Sequence, residues 1–185
     1  VPLLTILLSL FVNAVFAQDD TKNFNITGFD EIEISGSVNV YLEQGTSESI
    51  RVETTNYEMK NVGIEKSGKK MLKVFTKKHK KMKKNRKVVV YITCINLKKL
   101  KIDNASDVFA QSTTIKAEKL EIEAKGASDL EIKVDIVDLK IKTSGASDIE
   151  ISGKVAKQTI TASGSSHFRA DELKAQEVTV KSSGA

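Results

Sequence analysis

The chain has no tryptophan, one proline and one cysteine in 185 residues, and aromatic side chains make up only 5% of it. So few large rings exclude a thick core of interlocking aromatics. The 40% apolar content therefore rests on Ile, Val, Leu and Ala, which suit thin layers of stacked strands. A lone Cys94 excludes an intramolecular disulfide and any CxxC metal or redox pair, and it reads as a small strand residue. Histidine is scarce as well: His79 and His167 are the two, so Ser-His-Asp chemistry has few candidate bases. Acidic charge is missing from one place in particular. The net charge is +5, yet eight Lys or Arg residues and no acid fall within residues 77–87, which leaves −3 for the rest of the chain.

What is present instead is a repeated phrase. NASD begins at Asn104, GASD at Gly126 and again at Gly145, and GSSH at Gly164. Asp107 and Asp129 are 22 residues apart, while Asp129 to Asp148 and Asp148 to His167 are 19 each. A period near 20 with alternation inside each copy marks a solenoid, in which one coil cannot bury its apolar side alone. Laid over one another, Leu120, Ile122 and Ala124 fall on Leu139, Ile141 and Thr143, then on Gln158, Ile160 and Ala162, then on Val178, Val180 and Ser182. After each turn, Leu130 and Ile132 fall on Ile149 and Ile151, then on Phe168 and Ala170, and a shorter third side is expected around Val134, Val155 and Leu173. The expected fold is all-β, a parallel β-helix. Outward positions support that register, with Glu121 and Glu123 beside Lys140 and Lys142, and Glu150 beside Arg169. Such pairs on strands ~4.8 Å apart stabilise by roughly 0.2–1 kcal/mol each.

Residues 1–17 are apolar and uncharged and close on the small residues Val15 and Ala17, which reads as a secretory signal peptide cleaved after Ala17. The stretch is shorter than the ~20 residues a membrane helix needs, so an exported protein that is not integral to a membrane is expected. Residues 18–28 form an N-terminal segment, and 29–185 a single β-helix domain whose last coil is cut at Ala185. Period-two alternation starts at Phe29, and residues 35–45, SGSVNVYLEQG, are a degenerate copy of the later phrase. A long excursion then carries strands beginning at Met71 and Val88. Between them, residues 76–87 read as a long mobile hairpin loop, because like charges without apolar cover leave ordering entropy unopposed.

The GASD phrase is a corner: Gly126, Gly145 and Gly164 admit positive φ, Ser128 and Ser147 are small, and hydroxyl or carboxylate side chains bond the backbone a turn exposes. Stacked corners place Asp107, Asp129 and Asp148 in one column that ends on His167. That column admits two readings, a Ca²⁺ site built from oxygen ligands or side-chain capping of each corner. Capping needs only local geometry and is preferred, so no metal and no cofactor are expected. Lys77, Lys78, Lys80, Lys81, Lys83, Lys84, Arg86 and Lys87 form a candidate anion-binding segment for lipopolysaccharide phosphates or acidic glycans. Nucleic acid is not an expected partner of an exported protein.

From FDEIEISGSVNVYLEQG, through VVVYITCINLKKLKIDNASDV at residues 88–108, to the GASD copies, the chain resembles the auto-transporter adhesin head GIN domain family. The resemblance implies a right-handed β-helix, an exported bacterial protein of a kind common in Bacteroidetes, and adhesion or surface binding. It supplies no catalytic or ligand residues. The expected function is a non-enzymatic, adhesin-like module for a surface glycan, lipopolysaccharide or another envelope protein. A carbohydrate-active enzyme is the alternative by fold analogy, a weak warrant. Tyr41, Tyr57 and Phe109 are the aromatic candidates for a sugar platform, though core or turn filling is the expected role of each.

Overall fold

The computed structural model describes residues 19–77 and 85–183. The expected signal peptide and Lys78, Lys80, Lys81, Lys83 and Lys84 lie outside the described residues. The described residues contain no α-helix, only one 3-10 turn at Met59–Asn61. Thirteen strands follow in chain order: β1 Asp19–Phe24, β2 Glu31–Gly36, β3 Asn39–Gln44, β4 Ser49–Thr55, β5 Val62–Ser67, β6 Met71–Thr76, β7 Lys87–Cys94, β8 Lys99–Asn104, β9 Asp107–Gly126, β10 Asp129–Gly145, β11 Asp148–Gly164, β12 His167–Arg169 and β13 Leu173–Ser183.

They build a parallel β-solenoid of about four turns. Strands β9, β10 and β11 each run around a coil, and they stack with Asp107, Asp129 and Asp148 in register. The inward columns lie as the repeat dictates: Leu120, Leu139, Gln158 and Val178 form one, and Ile122, Ile141, Ile160 and Val180 another. Period-two patterning puts these aliphatics inside, where Leu120, Ile122, Leu139 and Ile141 are all at most 1% exposed. The last rung differs, because β13 pairs with β11 alone and Val178 and Val180 stay 53% and 60% exposed. On the third side, Val134 lies over Gly153 and Leu173, whereas Val155 lies between Ile136 and Ala175. The third side thus runs through all three residues, with Val134 and Leu173 in one column and Val155 in the next but one.

The excess of 22 residues over 19 has a location. Ala110 pairs with Ile132, but the next paired positions are Ile115 and Val134, so three extra residues bulge out of β9 between them. Gln44 fastens this bulge: its Oε1 accepts from Lys116 N at 2.7 Å, its Nε2 donates to Lys116 O at 3.0 Å and Ile95 O at 2.9 Å, and its own N–H donates to Thr113 Oγ1 at 2.9 Å.

The other half does not stack in chain order. The coil made of β2 and β3 lies between β6–β7 on one side and β8–β9 on the other, all parallel. Strands β6 and β7 pair with β2 and β3 rather than with each other, so the basic segment does not join a paired hairpin. It interrupts a coil instead. Three antiparallel strands close this end, β5 on β6, β4 on β7 and β1 on β4. Contacts distant in sequence hold the closure. Asp30, 7% exposed, receives Lys98 Nζ at 2.8 Å and Lys70 Nζ at 3.0 Å. Burial pushes its pKa up, but the two lysines outweigh this and hold it below the ordinary value. The Glu48 carboxylate accepts from the amides of Gly28 at 2.6 Å and Phe29 at 3.1 Å.

Candidate functional site

The corner column spans more coils than the repeat announced. Gly36, Asn104, Gly126, Gly145 and Gly164 are successive register partners, and so are Asn39, Asp107, Asp129, Asp148 and His167. Gly145 sits at φ +97°, and a Cβ there would lie 2.5 Å from Gly126 O, so close stacking and positive φ both require glycine. Backbone amides tie each corner to the one before, with Ala146 N donating to Gly126 O at 2.8 Å and Asp148 N to Ser128 O at 3.1 Å.

Inside the corner the hydroxyls face the backbone. Ser106, Ser128 and Ser147 are fully buried. Ser128 Oγ is 3.1 Å from Lys125 O and 3.3 Å from Asn104 O, Ser106 Oγ is 3.3 Å from Asp103 O, and Ser147 Oγ is 3.4 Å from Gly126 O. Each hydroxyl thus bonds a corner carbonyl and is itself satisfied there, Ser147 sharing Gly126 O with the Ala146 amide. In the fourth copy Ser166 Oγ is buried with no partner among the described residues.

The aspartates point outward. Burial, and then the neighbouring charge of Asp129, raise the Asp107 pKa above its ordinary value. Glu131 and Glu150 form a second column beside them, and at the last rung a cation arrives: Arg169 is 3.8 Å from both Asp148 and Glu150, while His167 Nδ1 is 3.2 Å from Asp148. No group of three or more His, Cys, Asp or Glu is placed to hold a metal among the described residues.

The face before the corner is built otherwise. There Lys73, Glu33, Lys101, Glu123 and Lys142 alternate in sign along one column, and Glu31, Lys99, Glu121 and Lys140 along the next. Glu121 lies 2.7 Å from Lys142 and 3.2 Å from Lys99. Chiefly the Lys142 contact, opposed by burial and assisted by Lys99, brings its pKa down to about 2. This face neutralises itself, whereas the aspartate face carries like charges on adjacent strands, an arrangement that costs stability. Along its outer edge, Lys125, Ser144, Ser163 and Ser183 form one polar row.

Beyond the corner the outward column carries aromatics. Tyr41 stacks on Tyr91 and on Phe109, with ring centroids 5.3 Å apart in both cases, and Arg51 lies over Tyr91 at 4.2 Å. Tyr41 is 40% exposed, yet both its faces are covered, so it offers ring edges and not a flat sugar platform. Tyr57 packs against the core and its hydroxyl donates to Lys77 O at 2.8 Å. Overlaying VVVYI on SVNVYLE brings Tyr91 to Tyr41, a signal in the sequence that the period of the later copies obscures.

The basic segment belongs to the same corner. Phe75 is in register with Ser35, the Thr76 hydroxyl accepts from Ser37 N at 3.2 Å, and β7 resumes at Lys87. The described residues on either side, Lys77 and Asn85 to Lys87, thus stand where other coils carry the short turn. Lys77 and Lys87 are exposed and Arg86 is half-buried.

Two open grooves cross the coils. One, of about 510 Å³, is lined by Leu97, Lys98, Lys119, Leu120, Asp138 and Lys140 among others. The other, of about 750 Å³, is lined by Gln111, Lys133, Ser152, Lys154, Asp171 and Lys174 among others. The repeat concealed the second, which arises where coils depart from it.

A parallel stack of coils with repeated corners and long polar faces places the chain in the class of all-β solenoid proteins. The family described as "Putative auto-transporter adhesin, head GIN domain" matches residues 28–185, and the chain belongs to that family. Its fold is shared with a putative adhesin from Bacteroides fragilis, with a TM-score of 0.83 at 20% identity over 91% of this chain and 78% of that one. A putative adhesin from Parabacteroides merdae aligns with a TM-score of 0.73 at 19% identity, over 90% and 78%. A third structure, named a putative lipid binding protein, from Parabacteroides distasonis, gives 0.66 at 18%, over 90% and 80%. No curated protein matches the chain. Among the described residues no helix is long and apolar enough to cross a membrane.

Proposed function

We infer that this chain is an exported, non-enzymatic binding module of the bacterial cell envelope. It presents the outer faces of a rigid solenoid to a partner that is itself repetitive, a surface glycan, lipopolysaccharide or another envelope protein. The observation that carries this reading is the contrast between faces: one alternates in sign at 2.7–3.2 Å contacts, while the aspartate face keeps its like charges in register over three coils. Where Asp107 and Asp129 meet no counter-charge among the described residues of a neighbouring strand, the face has interaction energy left for basic or hydroxyl groups of an envelope protein or a glycan. The family's adhesin description supports the same reading.

The test is retention of the purified, labelled chain on whole cells and on immobilised capsular polysaccharide, lipopolysaccharide and envelope protein fractions, with the polymer length measured before and after. Saturable retention with unchanged polymer length is expected. Shortened polymer would make the chain an enzyme, and no retention on any fraction would discard the module reading.

A further inference from the structure

We propose that the groove bounded by Gln111, Lys133, Lys154, Asp171, Glu172 and Lys174 binds an acidic saccharide, one that presents uronate carboxylates among free hydroxyls. The proposal rests on the binding-module reading and gives it a site and a ligand class.

The groove exists because two coils carry extra chain at one corner and the two between them do not. The β9 bulge begins at Gln111 and raises one wall. Opposite, the register runs from Glu150–Arg169 to Gly153–Leu173, so one extra residue turns out around Asp171 and Glu172 and raises the other wall. Lys133 on β10 and Ser152 and Lys154 on β11 form the floor. The walls stand three strand spacings apart, ~14 Å. A volume of about 750 Å³ lies within the usual ~300–1,000 Å³ of small-ligand sites. In solenoids, insertions gather on one face, which is often the binding face.

Charge identifies the ligand. Lys154 has Asp135 as its register partner on one side and Lys174 on the other, so Lys174 on the outer strand adds a like charge that the sheet disfavours. Neither of these lysines nor Lys133 makes an ion pair with a described residue, although Lys73, Lys99 and Lys142 on the alternating face all do. Arg169, at the groove's edge, is already shared between Asp148 and Glu150. A ligand carboxylate would supply the missing counter-charge. The walls contribute the opposite chemistry, since Asp171, Glu172 and Gln111 accept hydrogen bonds, which suits hydroxyl donors and repels a dense polyanion. Anionic groups spaced among hydroxyls are what a uronic-acid oligosaccharide offers. With the aromatic column stacked face to face elsewhere, recognition here is polar.

Calorimetric titration of the full chain with galacturonate hexamer, maltohexaose and inorganic polyphosphate tests the proposal, alongside retention of the same preparations on cells. Galacturonate hexamer is expected to bind and maltohexaose not to. Lys154→Gln with Lys174→Gln should weaken galacturonate binding at least about tenfold, Asp171→Asn with Glu172→Gln by a similar factor, and Lys22→Gln on β1 not at all. Thermal unfolding of each variant confirms that it folds. Binding that survives the double lysine change, or equal binding of maltohexaose, overturns the site. So does polyphosphate binding that tightens when the two acids are neutralised, which would make the groove a general anion site. Retention on cells without any galacturonate binding overturns the groove and leaves the module reading standing, whereas loss of both overturns both.

Discussion

The half built from β9 to β13 and the half built from β1 to β8 share the corner and a parallel stack of coils, yet only the second adds antiparallel strands, and the two are stabilised differently. In the first, each coil repeats its predecessor about 19 residues later, and neighbours in sequence are neighbours in space. In the second, the coil order departs from chain order, and single side chains such as Asp30, Gln44 and Glu48 reach across 19–72 positions to hold it. A repeat distributes stability over equivalent contacts, as expected for a quasi-one-dimensional stack. The closing half concentrates it in a few.

The largest effect that probes this comparison is in the shared inward column. Ile141→Ala, at 1% exposure, should cost about 2–5 kcal/mol in a denaturant titration, while Val180→Ala in the same column on the last rung should change stability by less than about 0.5 kcal/mol. Equal costs would mean that the last rung is covered. Next, Gly145→Val combines roughly 1–3 kcal/mol of backbone strain with a clash against Gly126 O, and it should exceed the effect of Gly68→Ala, which shares positive φ but meets nothing within 4 Å.

In the closing half, Asp30→Asn should cost about 1.5–3 kcal/mol near neutral pH, measured by thermal unfolding of wild type and variant across pH. The Asp30 pKa is depressed in the folded protein, so its contribution is present above the unfolded value of about 3.9 and fades as pH falls through the folded value. A difference that persisted below both would show that the lysine contacts are not its source. Ser147→Ala should remove about 0.5–1.5 kcal/mol, and Ser166→Ala, whose hydroxyl has no partner among the described residues, much less. Smallest of all, Asp107→Asn should stabilise by a few tenths of a kcal/mol at neutral pH. Its raised pKa makes the charged form a burden above the folded value, a burden that vanishes below the unfolded one.

The repeating half was legible because period-two patterning and a 19-residue period specify register residue by residue: Leu139, Ile141 and Thr143 fall where the overlay puts them. The closing half was not, because nothing in the local sequence of β6 or β7 says that they flank β2 and β3. Long-range pairing leaves no periodic trace. At the corner, Gly, Ser and Asp were recognisable as a unit. Their division of labour, with the serine hydroxyl turned in to carbonyls and the carboxylate turned out to solvent, follows from which side of the pleat each occupies. The groove was hidden for a related reason: its walls are departures from the repeat, and three extra residues between Asp107 and Asp129 read as noise until the register assigns them to one corner.

Cys94 closes β7 with its thiol fully buried, 3.5 Å from Glu43 O, and burial pushes its pKa up to about 11. At neutral pH the native protein therefore presents almost no thiolate, the species that reacts with alkylating reagents and oxidants. The coil must open before that sulfur becomes reactive, so the rate at which a thiol reagent consumes it is a built-in clock for breathing of the closing half, legible without any engineered probe.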